Sequence, residues 1–374
     1  MRSTHVTVSA GRGCGGTTGN EITPAVIFIH VTVRELLPAS VGSFQMSGIS
    51  LFIDAEHQLA DWVGIHERIC QLLVPIRTPT LFSLHQDECI ETQLKKVELI
   101  EICRLVAQSK LSEGKHQEAL PAAQSSLRCS IDVHGPSSVQ LVPAYLLLAE
   151  ANMGLGNLGL VAELLSQAEW AVLKSPECGH AVHHRLHRSL GRLHTATGNL
   201  EAALFNFAND IYFASEEYGV DSTVTCTGYF LMANVFARQG KMSIACSLYF
   251  EVARIWHCHL TKLTETHIQH VQDPDMASEP SYDEAQRVEV DEMLRTMLEF
   301  EQNNPKKDSA QIALLAHCLA MLWFLRGDSQ KALGFCSTAL QASQLIPNHD
   351  LTDPIQGLLQ LVQSARAEPH PGSD

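Results

Sequence analysis

Apolar residues recur three and four positions apart through most of the chain from residue 94 to residue 270. Because an α-helix completes a turn in 3.6 residues, this spacing places them on one helix face and leaves polar residues on the other. The pattern predicts an all-α fold. The positions that it assigns to the core are Leu99, Ile102 and Val106; Leu147, Leu148 and Leu155; Leu186, Leu190 and Leu193; and Phe230, Leu231 and Val235.

Four glycines, Gly114, Gly156, Gly198 and Gly240, separate these helical segments at a constant interval of 42 residues. Short side chains recur at two fixed positions around each glycine. Helices joined by a tight turn need such residues where their backbones come closest, so the pattern predicts stacked helical hairpins. The short side chains are Ala107, Ala149, Gly191 and Ala233 before the glycines, and Ala119, Val161, Ala203 and Ala245 after them.

The third hairpin carries Leu190 and Gly191 before its turn glycine, and Leu200, Ala203 and Phe207 after it. This pattern resembles the tetratricopeptide repeat, which implies a solenoid of helical hairpins. That repeat usually spans about 34 residues, so the period of 42 residues resembles more closely the longer-helix variant found in kinesin light chains. A later copy is predicted from Ala320, Trp323, Gly327, Ala332 and Ala339.

A different pattern precedes the repeats, where Trp62, His66 and Cys70 are spaced by four residues and follow His57. One helix face therefore carries Trp62, His66 and Cys70. The pattern resembles the closing helix of a MYND zinc finger, a motif that binds two zinc ions with eight ligands. That family needs two CxxC pairs upstream and a cysteine where Ile53 stands, and neither is present. We therefore expect no zinc and no other cofactor, with a partial metal site at His57, His66 and Cys70 as the alternative.

Breaks in composition and period divide the chain further. The apolar run 25–33 is too short to cross a bilayer, which takes about 20 residues, and the glycine-rich stretch before it predicts irregular structure. The predicted segments are an irregular or disordered N-terminal segment (1–54), the remnant closing helix of a MYND finger (55–74), tetratricopeptide repeats (94–272), an acidic linker and helix (273–309), a C-terminal repeat with a capping helix (310–367) and a free tail (368–374).

The chain is acidic, with 41 Asp and Glu residues against 26 Lys and Arg residues. This balance disfavours nonspecific attraction to nucleic acid or to anionic membranes, so we expect neither as a partner. The 11 cysteines include no CxxC pair, and no stretch is typical of a secretory signal. We therefore expect reduced thiols in the cytoplasm.

Motifs of several enzyme classes are missing from the sequence: a phosphate-binding glycine loop, a GxSxG turn and an HExxH helix. MYND fingers and tetratricopeptide helices also occur together in a family of lysine methyltransferases. Those enzymes carry a β-rich SET domain, which nothing in this chain resembles. We therefore expect no enzymatic activity and no catalytic residues.

Histidines cluster in two places, within residues 180–194 and 257–270. Histidines four positions apart on a helix can bind a transition metal. However, His187 and His194 occupy repeat positions that pack between helices, and the second cluster leads into a polar linker. We favour packing over metal binding for both clusters.

In tetratricopeptide proteins, the first helix of each unit lines a concave groove that holds partner peptides. Here Arg185, Arg188 and Arg192 are spaced by three and four residues and form one basic stripe. The stripe either binds a partner or pairs with acidic residues on adjacent helices; both interpretations stay open. The repeat register places eight residues on the groove: Arg104, Gln108, Glu150, Arg185, Arg188, Arg192, Asn234 and Arg238.

Three segments, 57–73, 141–151 and 208–215, give the most specific match to a known group of proteins. They resemble proteins of the motile axoneme that join a MYND finger to tetratricopeptide repeats. The resemblance implies an adaptor or scaffold that helps to assemble the axoneme and dynein arms of the sperm flagellum. It implies a location in the cytoplasm and in the cilium or flagellum, with another tetratricopeptide protein and axonemal dynein components as partners. The alternative is a cytosolic co-chaperone that binds acidic C-terminal peptides.

Overall fold

The structure is a computed structural model, and it describes residues 7–9, 28–30, 61–69, 86–272, 284–305 and 307–367. Almost all of these residues are helical, which confirms the predicted all-α class. Two short strands, β1 (Thr7–Ser9) and β2 (Phe28–His30), pair antiparallel. Trp62–His66 forms a π-helical turn, and Val139–Leu141 forms a 3-10 turn.

The α-helices of the described residues are numbered in chain order. They are α1 (Gln86–Ser112), α2 (His116–His134), α3 (Val142–Gly154), α4 (Leu158–Leu173), α5 (His180–Ala196), α6 (Leu200–Tyr218), α7 (Thr223–Arg238), α8 (Met242–Gln272), α9 (Glu284–Asn303), α10 (Ser309–Leu325), α11 (Ser329–Ser343) and α12 (Thr352–Ala367).

The chain divides into two compact units, Met1–Asn157 and Leu158–Asp374. In the first unit, α1 packs against α2 and α2 packs against α3. Leu99 and Ala107 of α1 and Ala119 of α2 are buried between the helices. The π-helical turn also lies on α2, where a Cβ added to Gly64 would be 3.1 Å from Cγ of Pro121. A glycine allows this close approach, because a Cβ here would force its neighbours on α2 to shift by a few tenths of an ångström.

In the second unit, consecutive helices from α4 to α8 pack against each other, and α10, α11 and α12 do the same. The helix α8 also packs against α10. Trp256 and Leu260 of α8 and Leu315 and Leu319 of α10 are buried in the largest apolar cluster of this unit. Burial of apolar surface between neighbouring helices is the main favourable term for such a fold.

The segment predicted as an acidic linker and helix contains α9, and this helix belongs to the core of the second unit. Leu294 and Met297 are fully buried. The ring of Phe300 lies 5.0 Å from that of Tyr249 on α8. The side chain of Asp291 accepts a hydrogen bond of 2.8 Å from Nε1 of Trp323 on α10.

All four glycines of the regular interval, and Gly327, end a helix in the left-handed conformation, with φ between 73° and 81°. At Gly198, the glycine N–H donates to Thr195 and the N–H of Asn199 donates to the carbonyl of His194. This pair of hydrogen bonds is the Schellman motif, in which the left-handed position favours glycine. The other four glycines and the residues after them make the same two bonds.

Most predicted core residues are buried, and the rest are partly buried. The exposed fraction is below 10% for Leu99, Val106, Leu147, Leu148, Leu186, Leu193 and Val235. Of segment 1–54, only β1 and β2 are described, and the tail 368–374 lies outside the described residues. No helix in the described part of the chain is long and apolar enough to cross a membrane.

Candidate partner-binding surface

In the first unit, two of the predicted groove residues, Arg104 and Gln108, lie on α1 and touch each other. Arg104 Nη1 donates to Gln108 Oε1 at 2.6 Å, and its Nε donates to Glu101 Oε2 at 2.8 Å. The hydrogen bond to Arg104 lowers the pKa of Glu101, and the same bond raises the pKa of Arg104. The third predicted residue of this unit, Glu150, is exposed on α3.

In the second unit, the basic stripe runs along α5, and its three arginines differ in environment. Arg185 and Arg192 are exposed, whereas Arg188 is partly buried. Among the residues that the structure describes, the guanidinium of Arg185 has no hydrogen-bond or ion-pair partner. Arg185 therefore carries a charge that is available to an incoming anionic group.

Arg188 makes a buried ion pair with Asp210 of α6. Its Nε donates to Asp210 Oδ2 at 2.8 Å, and its Nη2 donates to Oδ1 at 3.2 Å and to the carbonyl of Val224 at 2.7 Å. The Nδ1 atom of His184 lies 3.3 Å from Oδ1. For Arg188, the structure thus shows the second interpretation of the stripe, pairing with an acidic residue on an adjacent helix.

The two groove residues predicted on α7 both contact neighbouring helices. Asn234 Oδ1 accepts a hydrogen bond of 2.5 Å from the hydroxyl of Tyr249 on α8. Burial raises the pKa of Tyr249 to about 12, so this hydroxyl keeps its proton at neutral pH. Arg238 is exposed, and its Nη1 donates to the carbonyl of Thr195 at 3.0 Å, in the last turn of α5.

We call Arg185, Arg192 and Arg238 the cationic surface of the second unit. Arg185 and Arg192 are separated by seven residues, or about 10 Å along a helix that rises 1.5 Å per residue. Arg238 reaches the last turn of the same helix through its bond to Thr195. These three exposed side chains suit recognition of carboxylates, because a guanidinium donates two parallel hydrogen bonds.

The network around Asp210 was not predicted. The sequence contains a signal for it, because Asp210 follows Ala203 and Phe207 and precedes Ala214 on the buried face of α6. A carboxylate on an apolar helix face needs a buried partner. Here the partners are Arg188 and His184, both on α5.

Three histidines of the first cluster surround the ring of Phe213 on α6. His183 and His187 stack on this ring, with centroids 4.7 Å and 5.6 Å away, and His180 is tilted at 5.7 Å. His187 also forms a hydrogen bond of 3.0 Å between Nδ1 and Asn206 Oδ1. Burial, with a smaller effect of the neighbouring histidines, lowers the pKa of His183.

Of the three ligand positions predicted for a partial metal site, the structure describes only His66; His57 and Cys70 lie outside the described residues. The His66 side chain is buried, and its Nδ1 is 3.5 Å from Asp61 Oδ2. Within the described residues, no group of three or more His, Cys, Asp and Glu side chains could hold a metal ion. The chain matches no model of a known protein family.

Proposed function

We propose that this protein is a non-enzymatic adaptor that binds partner proteins through the first helices of tetratricopeptide-like hairpins with a 42-residue period. The observation that carries this proposal is the cationic surface, which is exposed on α5 and α7 of an otherwise acidic protein. The partners are another tetratricopeptide protein and axonemal dynein components. The setting is assembly of the axoneme and dynein arms of the sperm flagellum.

Two kinds of observation support the proposal. The same Schellman turn recurs at glycines placed 42 residues apart, as stacked hairpins of one type would require. The segments 57–73, 141–151 and 208–215 resemble axonemal proteins with a MYND finger and tetratricopeptide repeats. The resemblance supplies the cellular setting, and the exposed arginines supply the binding chemistry.

An extended segment bearing carboxylates fits the cationic surface best. A hydrogen bond to a charged group contributes about 1.5–3 kcal/mol when it is shielded from water. Arg185 can form such bonds without breaking an ion pair, since no described acidic side chain contacts it. Arg188, by contrast, would have to leave Asp210, so it positions the helices and does not receive the partner.

The experiment is affinity purification of the tagged full chain from ciliated tissue or testis, followed by quantitative mass spectrometry. Wild-type protein should recover dynein arm subunits and a second tetratricopeptide protein. The triple variant R185A/R192A/R238A should recover them at least about tenfold less, given the energy of charged hydrogen bonds. The control is R128A/K262A, which removes two exposed positive charges, one from α2 and one from α8. Equal recovery by the triple variant and the control would contradict the proposed surface.

A co-chaperone that binds acidic C-terminal tails is a second candidate, favoured by the same exposed arginines. A co-chaperone recognises the terminal carboxylate, so amidation of a tail peptide should abolish its binding. An axonemal adaptor recognises an internal acidic segment, so it should bind the amidated peptide as well as the peptide with a free C-terminal carboxylate. Recovery of chaperones alone in the purification would favour the co-chaperone. A methyltransferase would bind S-adenosylmethionine, so detection of that binding would contradict a non-enzymatic role.

A further inference from the structure

The helix α6 exposes two aromatic rings on the side opposite to its packed face. Phe205 is 68% exposed and Tyr212 is 56% exposed, whereas Phe207 and Asp210 are buried. Phe205 and Tyr212 are seven residues apart, which is two helical turns to within about 20° and about 10 Å along the axis. The two rings therefore lie in one line on the solvent side of α6.

These rings belong to a longer line of exposed side chains, which we call the aromatic stripe of α6. Its members are Glu201, Phe205, Ala208, Tyr212 and Glu216, and all five are exposed. Their spacings of four, three, four and four residues keep them on one face. The alanine is short, so the two rings stand above it on either side. Such an alternation of long and short side chains is what lets two helices interlock.

Contacts on the other sides of α6 hold the stripe in place. Arg188 of α5 binds Asp210 and also the carbonyl of Val224 on α7. The ring of Tyr212 meets the ring of Phe213 edge to face, with centroids 5.2 Å apart. A partner would therefore meet a face that is already ordered, which lowers the entropic cost of binding.

The exposed charges of α6 are all negative. Its 19 residues include no Lys, Arg or His, and its acidic residues besides Asp210 are Glu201, Glu216 and Glu217. Among the residues that the structure describes, none pairs with these three carboxylates. Glu216 and Glu217 stand in the last turn, where the helix dipole disfavours anions. Cations from outside the molecule are therefore attracted to both ends of the stripe.

A second copy of this chain suits the stripe poorly. Two α6 helices that paired through their rings would bring Glu201 of one against Glu201 or Glu216 of the other, in parallel or antiparallel orientation. Like charges brought together in this way repel each other. An anionic lipid surface is repelled for the same reason. The occupant that complements the stripe is basic and apolar.

We propose that the aromatic stripe of α6 binds an amphipathic helix of a partner protein, with Lys or Arg at both ends of its apolar face. Aliphatic side chains of the partner pack over Ala208 between the two rings, and its cations meet the glutamates at either end. Aromatic residues are enriched at the centres of protein interfaces, and an amphipathic helix presents apolar residues at this spacing. This surface goes beyond the proposed function, because it has the opposite charge to the cationic surface and lies on a different helix.

The probe is a fluorescent helical peptide of about 18 residues, or five turns, with leucines along one face and lysines at its flanks and ends. Fluorescence anisotropy with the purified full chain should show saturable binding. F205A/Y212A should weaken it at least about tenfold, and E201Q/E216Q/E217Q about fivefold. Two controls should bind as wild type does: L173A, at an exposed apolar residue of α4, and E289Q/E292Q/E299Q, at three exposed glutamates of α9.

Two further peptides separate the roles of apolar face and charge. A scrambled peptide keeps the charge without an apolar face, and a peptide with glutamate in place of lysine keeps the face and reverses the charge. Both should bind at least about tenfold more weakly. R185A/R192A/R238A should not weaken binding of the lysine peptide, so failure of the stripe is distinguishable from failure of the cationic surface.

A cross-link keeps the proposal testable if F205A/Y212A folds poorly. With p-benzoylphenylalanine in place of Ala208, ultraviolet light should join the chain to the lysine peptide; in place of Glu299 it should not. Equal affinity of wild type and F205A/Y212A, equal affinity for the scrambled peptide, or no cross-link from position 208 would overturn the proposal. Self-association of the chain that F205A/Y212A abolishes would assign the stripe to a second copy and overturn it as well.

Discussion

At the scale of single residues, Asp210 shows how one carboxylate can join three helices. It is fully buried on α6, it pairs with Arg188 and His184 of α5, and Arg188 in turn bonds the carbonyl of Val224 on α7. A buried ion pair contributes less than its Coulomb energy, because both charges lose their hydration. Its loss is costly, however, when one charge remains behind without a partner.

We predict that Asp210→Ala lowers the free energy of unfolding by about 3–5 kcal/mol, because the Arg188 charge is left without its counter-ion. Urea denaturation monitored by circular dichroism measures this change. The control is Arg254→Ala, which breaks exposed ion pairs with Asp221 and Glu251 and should change the midpoint little. A similar small effect for both variants would show that the network does not stabilise the fold.

Glu301 is a second buried charged residue, at 3% exposure near the end of α9. Burial raises its pKa above the ordinary value of 4.5, and the charge of Asp308 adds to this effect. A carboxyl whose pKa is higher in the folded state opposes folding when it is ionised. This penalty applies above the folded pKa and disappears as the pH falls towards 4.5.

We therefore predict that Glu301→Gln raises the unfolding temperature at pH 8 and that the gain vanishes near pH 4.5. Thermal unfolding at a series of pH values measures the difference. The exposed Glu299→Gln on the same helix removes the same charge and is the control. A gain that does not depend on pH would show that ionisation of Glu301 is not its cause.

At the scale of helices, α5 has a glycine at the position before the turn where the corresponding helices have alanine. Ala107, Ala149 and Ala233 occupy the position where α5 has Gly191. A Cβ added to Gly191 would lie 2.5 Å from Cε1 of Phe207 on α6. The large ring and the missing methyl group thus compensate for each other.

We predict that Gly191→Ala lowers the free energy of unfolding by about 1–3 kcal/mol through overpacking. The double variant Gly191→Ala/Phe207→Leu introduces the residues that stand 42 positions earlier in the sequence, Ala149 and Leu165. It should lose less than the sum of the two single variants, which a double-mutant cycle measures. Gly159→Ala is the control, since a Cβ there meets no atom within 4 Å. Additive losses would contradict direct compensation.

The turn glycines can be tested without altering any packing contact. Gly198 has φ +81°, and an added Cβ would find nothing within 4 Å. We predict that Gly198→Ala costs about 1–2 kcal/mol through backbone strain alone. Gly198→Asn should cost less, because asparagine tolerates this conformation, as Asn348 does at φ 52°. Urea denaturation ranks the variants, and equal losses for both would contradict a purely conformational cause.

At the scale of the whole molecule, a net charge of −15 coexists with a local cationic surface on the second unit. An acidic partner is repelled by the molecule as a whole and attracted at short range by Arg185, Arg192 and Arg238. Salt screens exposed charges beyond about 8–10 Å at physiological ionic strength. Short contacts with the arginines are screened less than the longer-range repulsion, but salt weakens them too because these side chains are exposed.

We predict that R185A/R192A/R238A weakens binding of a fluorescent acidic peptide most at low salt, and that the difference from wild type narrows as salt increases. Fluorescence anisotropy at several salt concentrations measures both affinities. R128A/K262A, which removes two positive charges elsewhere, should follow the wild-type curve. A variant affinity as high as that of wild type at low salt would locate the acidic segment elsewhere.

The helical class, the turn glycines and the burial of most of the twelve named core positions could be predicted from the sequence. These follow from local rules, because helical periodicity and the left-handed conformation of a turn glycine depend on residues close together in the chain. The groove assignments and the repeat period remain predictions. The place of α9 in the core of the second unit could not be predicted from the sequence. An acidic helix with one apolar face is compatible either with a core position or with a position over the groove.

Which side chains pair could not be predicted before the helices were seen packed together. Arg188 looked equivalent to Arg185 and Arg192 in the sequence, yet it alone is shown to bond Asp210, 22 residues away. His257 and His317, whose ring nitrogens lie 3.2 Å apart, belong to helices whose neighbourhood no local spacing predicts. The physical reason is that helix formation is a matter of a few consecutive residues, whereas a buried polar contact exists only after two distant helices have packed and excluded water.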